Sequence, residues 1–362
     1  MSIATLLPAE RDLPQPDVDR IAVIREGIIE VGDRWRSTHP AITRHQNAVG
    51  LTIFLVSALG VVGDAVLYVT GAIPWYLCVP VTAFWLSLLH ELEHDLIHWM
   101  YFRNRRWVHQ IMMFGVWLLR PSTINPWFRR ELHLHHHKVS GTESDLEERA
   151  LTNGERWNGG RLVTLLDIVI GKYARPWRTK EIARAWVREV ASSREEARAL
   201  IKRAKASYLP LGAVHYGLWH LYLLLHGYQL VGGYIPNGWA YHALNVVAVV
   251  LLAPNALRTF CLHFVSSNMH YYGDIEAHNV LKQTQVWTAK WLWPLHAFCF
   301  NFGGTHAIHH FVVRDPFYVR EAIGHDCRQI LRQNGVRFND FGTFKRANRW
   351  EVIVGANEDH VD

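Results

Sequence analysis

The sequence predicts an all-α integral membrane protein in which four transmembrane helices form two hairpins beneath a helical cytoplasmic cap. Four apolar runs are long enough, or nearly long enough, to cross a bilayer, and short turns without Lys or Arg join them in pairs. The segment between the two pairs holds more than half of the chain's 38 Lys and Arg residues. By the positive-inside rule this segment and both termini are therefore expected in the cytoplasm.

The predicted spans divide the chain into three regions. The spans are Ala48–Val69, Trp75–Leu89, Tyr208–Leu225 and Trp239–Leu257. We predict a cytoplasmic N-terminal segment over residues 1–47, a membrane domain over 48–320 and a cytoplasmic C-terminal segment over 321–362. The first residues show no basic start followed by an apolar run, so we expect no signal peptide.

The composition is typical of a protein with part of its surface in contact with something other than water. Charged residues make up 19% of the chain, less than the usual quarter, whereas Trp (16) and His (23) are abundant. A net charge of +6 is compatible with nucleic-acid binding, but the basic residues are confined to segments between apolar runs. We therefore expect no nucleic-acid partner.

The four cysteines are widely separated and include no C-x-x-C pair. This spacing excludes a local zinc knuckle or iron–sulfur site, and we expect reduced, buried thiols.

Three further segments have apolar character without the length of a span. Val108–Leu119 is expected to form a buried or interfacial helix, and Pro294–Phe302 to lie against the face of the bilayer. Lys180–Ala206 has apolar residues near helical spacing with Arg and Lys between them, which predicts an amphipathic helix. Such a helix either lies on the membrane or packs on the rest of the cytoplasmic region.

Four groups of histidine lie at the cytoplasmic ends of the predicted spans. The groups are His90, His94 and His98; His133, His136 and His137, with His135 among them; the single His270; and His306, His309 and His310. Residues four apart lie on one face of a helix, about one turn from each other. Burying so many imidazoles without partners would cost about 1–3 kcal/mol for each unsatisfied group, which favours shared metal ions.

The number of histidines indicates two ions, because nine imidazoles exceed the coordination of one. Imidazole binds zinc, copper, iron and nickel, so ligand chemistry alone leaves the metal open. Two other interpretations also remain. The HELEH segment satisfies H-E-x-x-H, the zinc motif of metalloproteases, and a metal transporter or histidine-rich sensor would also contain clustered histidines.

The arrangement of these groups resembles the membrane fatty-acid desaturase and hydroxylase superfamily over about residues 50–315. That family's pattern is H-x(3–4)-H, H-x(2–3)-H-H, a single His and H-x-x-H-H. The HELEH segment is similar to the first motif of membrane alkane hydroxylases, and THAIHH looks more like a desaturase motif. One branch of the superfamily, the 1-alkene-forming fatty-acid decarboxylases, is a candidate.

The resemblance implies two irons with histidine ligands and dioxygen as co-substrate. The implied ligands are His90, His94, His133, His136, His137, His270, His306, His309 and His310. His98 and His135 match no required position, and we expect them to support or pack against the ligands. Among the neighbouring carboxylates Glu91, Glu93, Asp95, Asp145 and Asp274, we select Asp95 and Asp274 as acceptors of a ligand's second ring N–H.

The resemblance also implies oxidation of a fatty acid or fatty-acyl chain to an alkene, either by desaturation or by decarboxylation to a terminal alkene, with hydroxylation as the alternative. Electrons would come from a ferredoxin, rubredoxin or cytochrome with its reductase. The basic cap either docks such an acidic carrier or serves only membrane topology and contact with lipid headgroups. The candidates for binding the substrate head group are Arg103, Arg105, Arg106, Arg129 and Arg130. The expected location is the bilayer, the cell membrane in a bacterium, with the active site facing the cytoplasm.

Overall fold

A computed structural model of the protein describes residues 16–351, and over this range the chain is helical. Its β structure within that range is limited to two single bridges, His270 with Thr284 and Val286 with Phe338. Residues 1–15 and 352–362 of the two predicted terminal segments lie outside the described residues.

The helices follow one another with short connections. In chain order they are α1 (Asp17–Thr38), α2 (Pro40–Arg44), α3 (Gln46–Val69), α4 (Trp75–Ile97), α5 (Arg106–Leu119), α6 (Pro126–Val139), α7 (Leu146–Arg149), α8 (Gly159–Leu166), α9 (Ile168–Ala174), α10 (Pro176–Val190), α11 (Arg194–Ala206), α12 (Leu211–Leu230), α13 (Trp239–Val247), α14 (Ala253–Met269), α15 (Val280–Gln283), α16 (Trp293–Ala297), α17 (Phe302–Phe311) and α18 (Phe317–Gln333). A π-helical segment, Ala248–Leu252, joins α13 to α14, and 3₁₀ turns lie at Lys290–Leu292 and Phe341–Phe344.

Among the described residues, three helices are long and apolar enough to cross a membrane. They are Gln46–Val69, Trp75–Ile97 and the continuous helix Trp239–Met269. Helix α12 covers most of the remaining predicted span, but polar residues such as His215, His220 and His226 interrupt its apolar character. The four-span arrangement in two hairpins therefore stays a prediction, whereas three apolar helices of spanning length are present.

Helices α3 and α4 pack along each other as the first predicted hairpin. The single charge in α3, Asp64, is buried there and its Oδ2 accepts a hydrogen bond of 3.2 Å from Thr82 Oγ1 of α4. Close approach occurs at the other end of α3, where a Cβ on Gly50 would lie 2.5 Å from the ring of the buried Tyr101. Helix α4 continues beyond Leu89 to Ile97, which carries its histidines into the protein interior.

The prediction of one continuous amphipathic helix over Lys180–Ala206 is wrong, because two helices, α10 and α11, occupy this range. The break has a local cause: Ser193 Oγ accepts from Glu196 N and Glu196 Oε2 accepts from Ser192 N, as in a capping box that starts a new helix. The apolar faces pack on α6, with Trp186 and Leu200 in one buried cluster with Phe128. These side chains therefore pack inside the protein, which is the second of the two alternatives for this segment.

Helix α5 buries one stripe and exposes another. Met112, Met113 and Val116 are buried against α3 and α4. The exposed stripe is also apolar and consists of Trp107, Ile111, Phe114 and Leu118. An exposed apolar stripe of this kind is typical of a surface that contacts lipid or another protein.

The first long helix, α1, packs against the last one, α18. Ile24 and Ile28 of α1 share a buried core with Ile323 and Leu331 of α18. The prediction for the cysteines is confirmed, because Cys78, Cys261, Cys299 and Cys327 are all buried and free.

We predict that Gly50→Val lowers the thermal unfolding midpoint of the protein in detergent. The new side chain would overlap the ring of Tyr101, and overpacking of this kind costs about 1–3 kcal/mol. Gly63→Val in the same helix is the matched control, since no atom lies within 4 Å of its Cβ position. Equal midpoints for the two variants would contradict the α3–Tyr101 packing.

Candidate metal centre

Four helices bring the histidine groups together. Helix α6 starts sharply at Asn125, whose Oδ1 accepts from Phe128 N at 2.9 Å, followed by Pro126 in the first turn. Helix α17 starts after Asn301, which has a left-handed backbone conformation (φ 53°) and turns the chain back toward α4. His270 directly follows the long helix that ends at Met269 and forms its C-cap.

The described histidines form two groups whose candidate ligand atoms lie within 4.8 Å of one another. The first group contains His94, His98, His133, His137 and His309. The second contains His136, His270, His306 and His310. All members are buried except His98 and His137, which are partly buried.

Within each group, ring nitrogens face other ring nitrogens rather than hydrogen-bond acceptors. His137 Nε2 lies 3.1 Å from His133 Nε2 and 3.1 Å from His309 Nε2. In the second group His310 Nε2 lies 3.0 Å from His306 Nε2 and 3.4 Å from His270 Nε2. A neutral imidazole has one N–H and one lone pair, so these contacts cannot all be hydrogen bonds.

Carboxylates decide which nitrogen carries the proton. Glu147 Oε2 lies 2.8 Å from His133 Nδ1, and Asp145 Oδ2 lies 2.8 Å from His136 Nδ1. With the proton on Nδ1, the Nε2 of each of these histidines presents its lone pair to the centre of its group. Nitrogen lone pairs that face one another with no N–H group between them suit a bound cation. A carboxylate that accepts the other ring N–H is the usual partner of a metal-binding histidine.

Burial keeps most of these imidazoles neutral, which is the form that binds metal. Desolvation by burial lowers the pKa of every ligand candidate on α6 and α17 except His136. The five histidines concerned are His133, His137, His306, His309 and His310. For His136, burial acts in the same direction, but the Asp145 carboxylate overcomes it and raises the pKa to about 9. A cation at the second group would take the place of that proton.

The geometry differs from the sequence interpretation at two positions on α4. His98, expected to support the ligands, belongs to the first group, and its Nε2 lies 3.0 Å from His309 Nε2. His90, expected to be a ligand, lies outside both groups. Its Nδ1 faces two guanidinium groups, Arg120 Nη2 at 3.1 Å and Arg129 Nη1 at 3.3 Å. It therefore accepts hydrogen bonds at Nδ1 and carries its proton on Nε2.

The reason is an ambiguity of spacing. His90/His94 and His94/His98 both satisfy H-x-x-x-H, and only the depth of α4 relative to α6 and α17 decides which pair meets the other groups. His135 also lies outside both groups, as expected.

The supporting carboxylates also differ from those selected in the sequence. Asp274 accepts backbone N–H groups from Trp350 and Glu351 and is committed to the C-terminal turn. Asp95 accepts from Tyr101 Oη at 2.9 Å and from Phe317 N at 3.1 Å. It reaches a ligand candidate only through Arg320, whose Nη2 lies 3.4 Å from Asp95 Oδ1 and 3.5 Å from His94 Nδ1.

Sequence reasoning missed Glu147 and Glu148. Asp145 caps the short helix α7 through Glu148 N, and this turn folds the acidic run back on α6. Glu148 Oε2 comes within 3.3 Å of His270 Nδ1, and burial raises the pKa of Glu148 to about 8. The signal in the sequence was the acidic run that follows the second histidine group by a few residues.

The arginine candidates separate into two sets. Arg103, Arg105 and Arg106 are exposed. Arg129 bonds Glu93 Oε1 at 2.7 Å, and Arg130 donates to the Leu96 and Ile97 carbonyl oxygens at the end of α4. Arg129 and Arg130 thus stabilise the position of the histidine-bearing helix α4.

Together, the fold and the two histidine groups define a helical protein with two candidate metal sites at the ends of long apolar helices. The chain belongs to the fatty acid desaturase family, whose model matches residues 70–342. No curated protein matches the sequence. Family membership makes the protein an oxidoreductase, and with three apolar helices it indicates an integral membrane protein.

We predict that His98→Ala loses about half of the bound metal, because His98 lies in the first group, and that His90→Ala keeps the metal. Metal content per chain after purification, measured by elemental analysis, distinguishes the two. If His98→Ala kept its full metal content and His90→Ala lost metal, the ligand assignment made from the sequence would be correct instead.

We predict that Glu147→Gln weakens metal binding by about 10–100-fold, since a neutral amide holds the Nδ1 proton of His133 less firmly. A chelator titration followed by metal analysis measures this change. Asp274→Asn is the control and should retain the metal, because Asp274 contacts backbone amides of Trp350 and Glu351. A larger effect at Asp274 would contradict the structure.

Proposed function

We propose that the protein uses a di-iron site and dioxygen to oxidise a long-chain fatty acid or fatty-acyl chain to an alkene. The product forms either by desaturation or by oxidative decarboxylation to a terminal alkene. The observation that supports this proposal is the presence of two converging histidine groups in a member of the fatty acid desaturase family.

The histidine groups fit iron. Their donor atoms are imidazole nitrogens, which suit iron as well as zinc, copper and nickel, and the family resemblance favours iron among these. A bound pair of irons supplies activation of dioxygen and abstraction of hydrogen from an unactivated C–H bond. Nine histidines, five in one group and four in the other, are enough to hold two ions.

The protein's own residues hold, orient and shield this centre. Glu147 and Asp145 fix the Nδ1 protons of His133 and His136, so that the Nε2 lone pairs point inward. The burial of most of the ligand candidates keeps bulk water away from the reacting atoms.

The zinc-protease interpretation of HELEH receives no support from the geometry. That motif requires His90 and His94 on one ion and Glu91 as the base. His90 lies outside both groups, and Glu91 Oε2 lies 3.3 Å from Arg320 Nη2.

The proposal includes an external electron donor, such as a ferredoxin, rubredoxin or cytochrome with its reductase. A surface hollow of about 940 Å³ is lined by Arg44, Arg103 and Arg105, among other residues. Such a basic surface favours an acidic carrier protein. The proposed location is a membrane, with the histidine end of the helices and the basic cap in the cytoplasm.

We predict an alkene product when the purified enzyme receives a long-chain fatty acid, dioxygen and a reducing partner. Mass spectrometry of headspace and extract together distinguishes a one-carbon-shorter alkene, an acid two mass units lighter and an acid sixteen units heavier. His136→Ala and His309→Ala should lose both metal and product, since both residues are ligand candidates.

The heavier acid is the result expected of the alternative, a hydroxylase, and as main product it would overturn the alkene proposal. Activity with zinc and without dioxygen would overturn the oxidase proposal altogether.

A further inference from the structure

Arg258 is a fully buried arginine within the apolar helix Trp239–Met269. Its Nη2 donates to the neighbouring Thr259 Oγ1 at 2.7 Å. Its Nε and Nη1 have no hydrogen-bond partner among the described residues. A charged group at such a place is costly, and in membrane helices it usually marks a functional site.

The charges around Arg258 do not neutralise it. The charged groups that act most strongly on it are Arg120, Glu93 and Arg129. Glu93 gives one oxygen to Arg120 at 2.6 Å and the other to Arg129 at 2.7 Å, and Arg129 is also shared with Glu147. Two carboxylates thus balance two of the three arginines, and one buried positive charge is left over.

Further unpartnered donors belong to the same cluster. Arg120 is fully buried, and its Nε has no partner among the described residues. His90 Nε2 also lacks a partner, and it carries the proton because Nδ1 accepts from the guanidinium groups. Arg258, Arg120 and His90 therefore present four donor nitrogens without partners and one uncompensated charge, which fits a monoanion.

This cluster lies beside the first metal group, toward the apolar part of α4. His90 precedes His94 by four residues, which is one helical turn or about 6 Å along the axis. The ring of Phe302 connects the cluster to the second group, since it lies 6.3 Å from the ring of His90 and stacks on His306 at 4.0 Å. The ring of His306 in turn lies 5.7 Å from that of His94 in the first group.

We propose that Arg258, Arg120 and His90 bind the carboxylate of a free fatty acid. This inference rests on the proposed function and deepens it, since it selects the free acid over a thioester or a lipid. The surface arginines Arg103 and Arg106, expected from the sequence to hold the head group, are then not required for substrate binding.

A carboxylate at this place brings the carbons next to it close to the first metal group, so the reaction is decarboxylation. The C–H bond at the β-carbon and the bond between the α-carbon and the carboxyl carbon break, and an α–β double bond forms as carbon dioxide leaves. The substrate gives up two electrons. The external donor supplies two more, and dioxygen takes up all four with four protons to form two waters.

The test measures binding of radiolabelled dodecanoic acid to the metal-loaded enzyme in lipid nanodiscs, without a reductant, so that no turnover occurs. Wild-type protein should bind the acid, and it should bind the methyl ester at least 10-fold more weakly. Arg258→Gln should lose at least 10-fold in affinity for the acid and keep its affinity for the ester. Arg258→Lys, which retains the charge, should recover part of the loss.

Thermal unfolding gives an independent measurement. Without fatty acid, Arg258→Gln should raise the midpoint, because it removes an unbalanced buried charge. Arg161→Gln is the matched control: Arg161 is also fully buried but bonds Asn268 and Asn348, so its loss should lower the midpoint. Added dodecanoic acid should raise the midpoint of the wild type and not that of Arg258→Gln.

The outcomes separate this inference from the proposed function. Unchanged acid binding in Arg258→Gln, or complete competition by chloride at physiological concentration, overturns the carboxylate site. An enzyme that forms internally unsaturated acid with normal metal content also overturns it, while the oxidase proposal stands. The exposed Arg198 serves as the binding control, and an equal loss in Arg198→Gln would place the head group at the surface and overturn the inference.

Discussion

The structure depends on one electrostatic constraint, the convergence of imidazole lone pairs in two buried volumes. Lone pairs about 3 Å apart repel, and burial prevents water from separating them. A cation bound in each volume would convert this repulsion into coordination. The helices that supply the imidazoles, α4, α6, α14 and α17, are therefore held in register by the same requirement.

Buried charged side chains fix the positions of those helices inside the apolar part of the molecule. Most of these charged side chains form ion pairs. Arg120 and Arg129 share Glu93, and Arg320 lies between Glu91 and Asp95. Because these groups have ion-pair partners, the network stabilises the position of the histidine-bearing helix α4. Arg258 departs from this pattern, which is why it indicates a ligand rather than a structural role.

The sequence predicted the helical class, the boundaries of α3 and the start of α4 within two residues, and the gathering of histidines from separate segments. These features depend on local properties: apolar length and spacing by helical turns. The break between α10 and α11 was missed although Ser193 and Glu196 form a local capping pair. The helical spacing of apolar residues continues across the break between α10 and α11, so this spacing alone predicts one helix.

The sequence by itself determined that histidines at ligand spacing would gather at the ends of apolar helices, because spacing along a helix is a local property. Only the tertiary structure decided that His98 rather than His90 joins the first group, since the choice depends on how deep α4 lies against α6 and α17. The partners Glu147 and Arg320 were likewise decided by folding. The contact of a carboxylate or guanidinium with an imidazole depends on the distance between them in the folded protein, and the spacing of residues along the sequence does not give that distance.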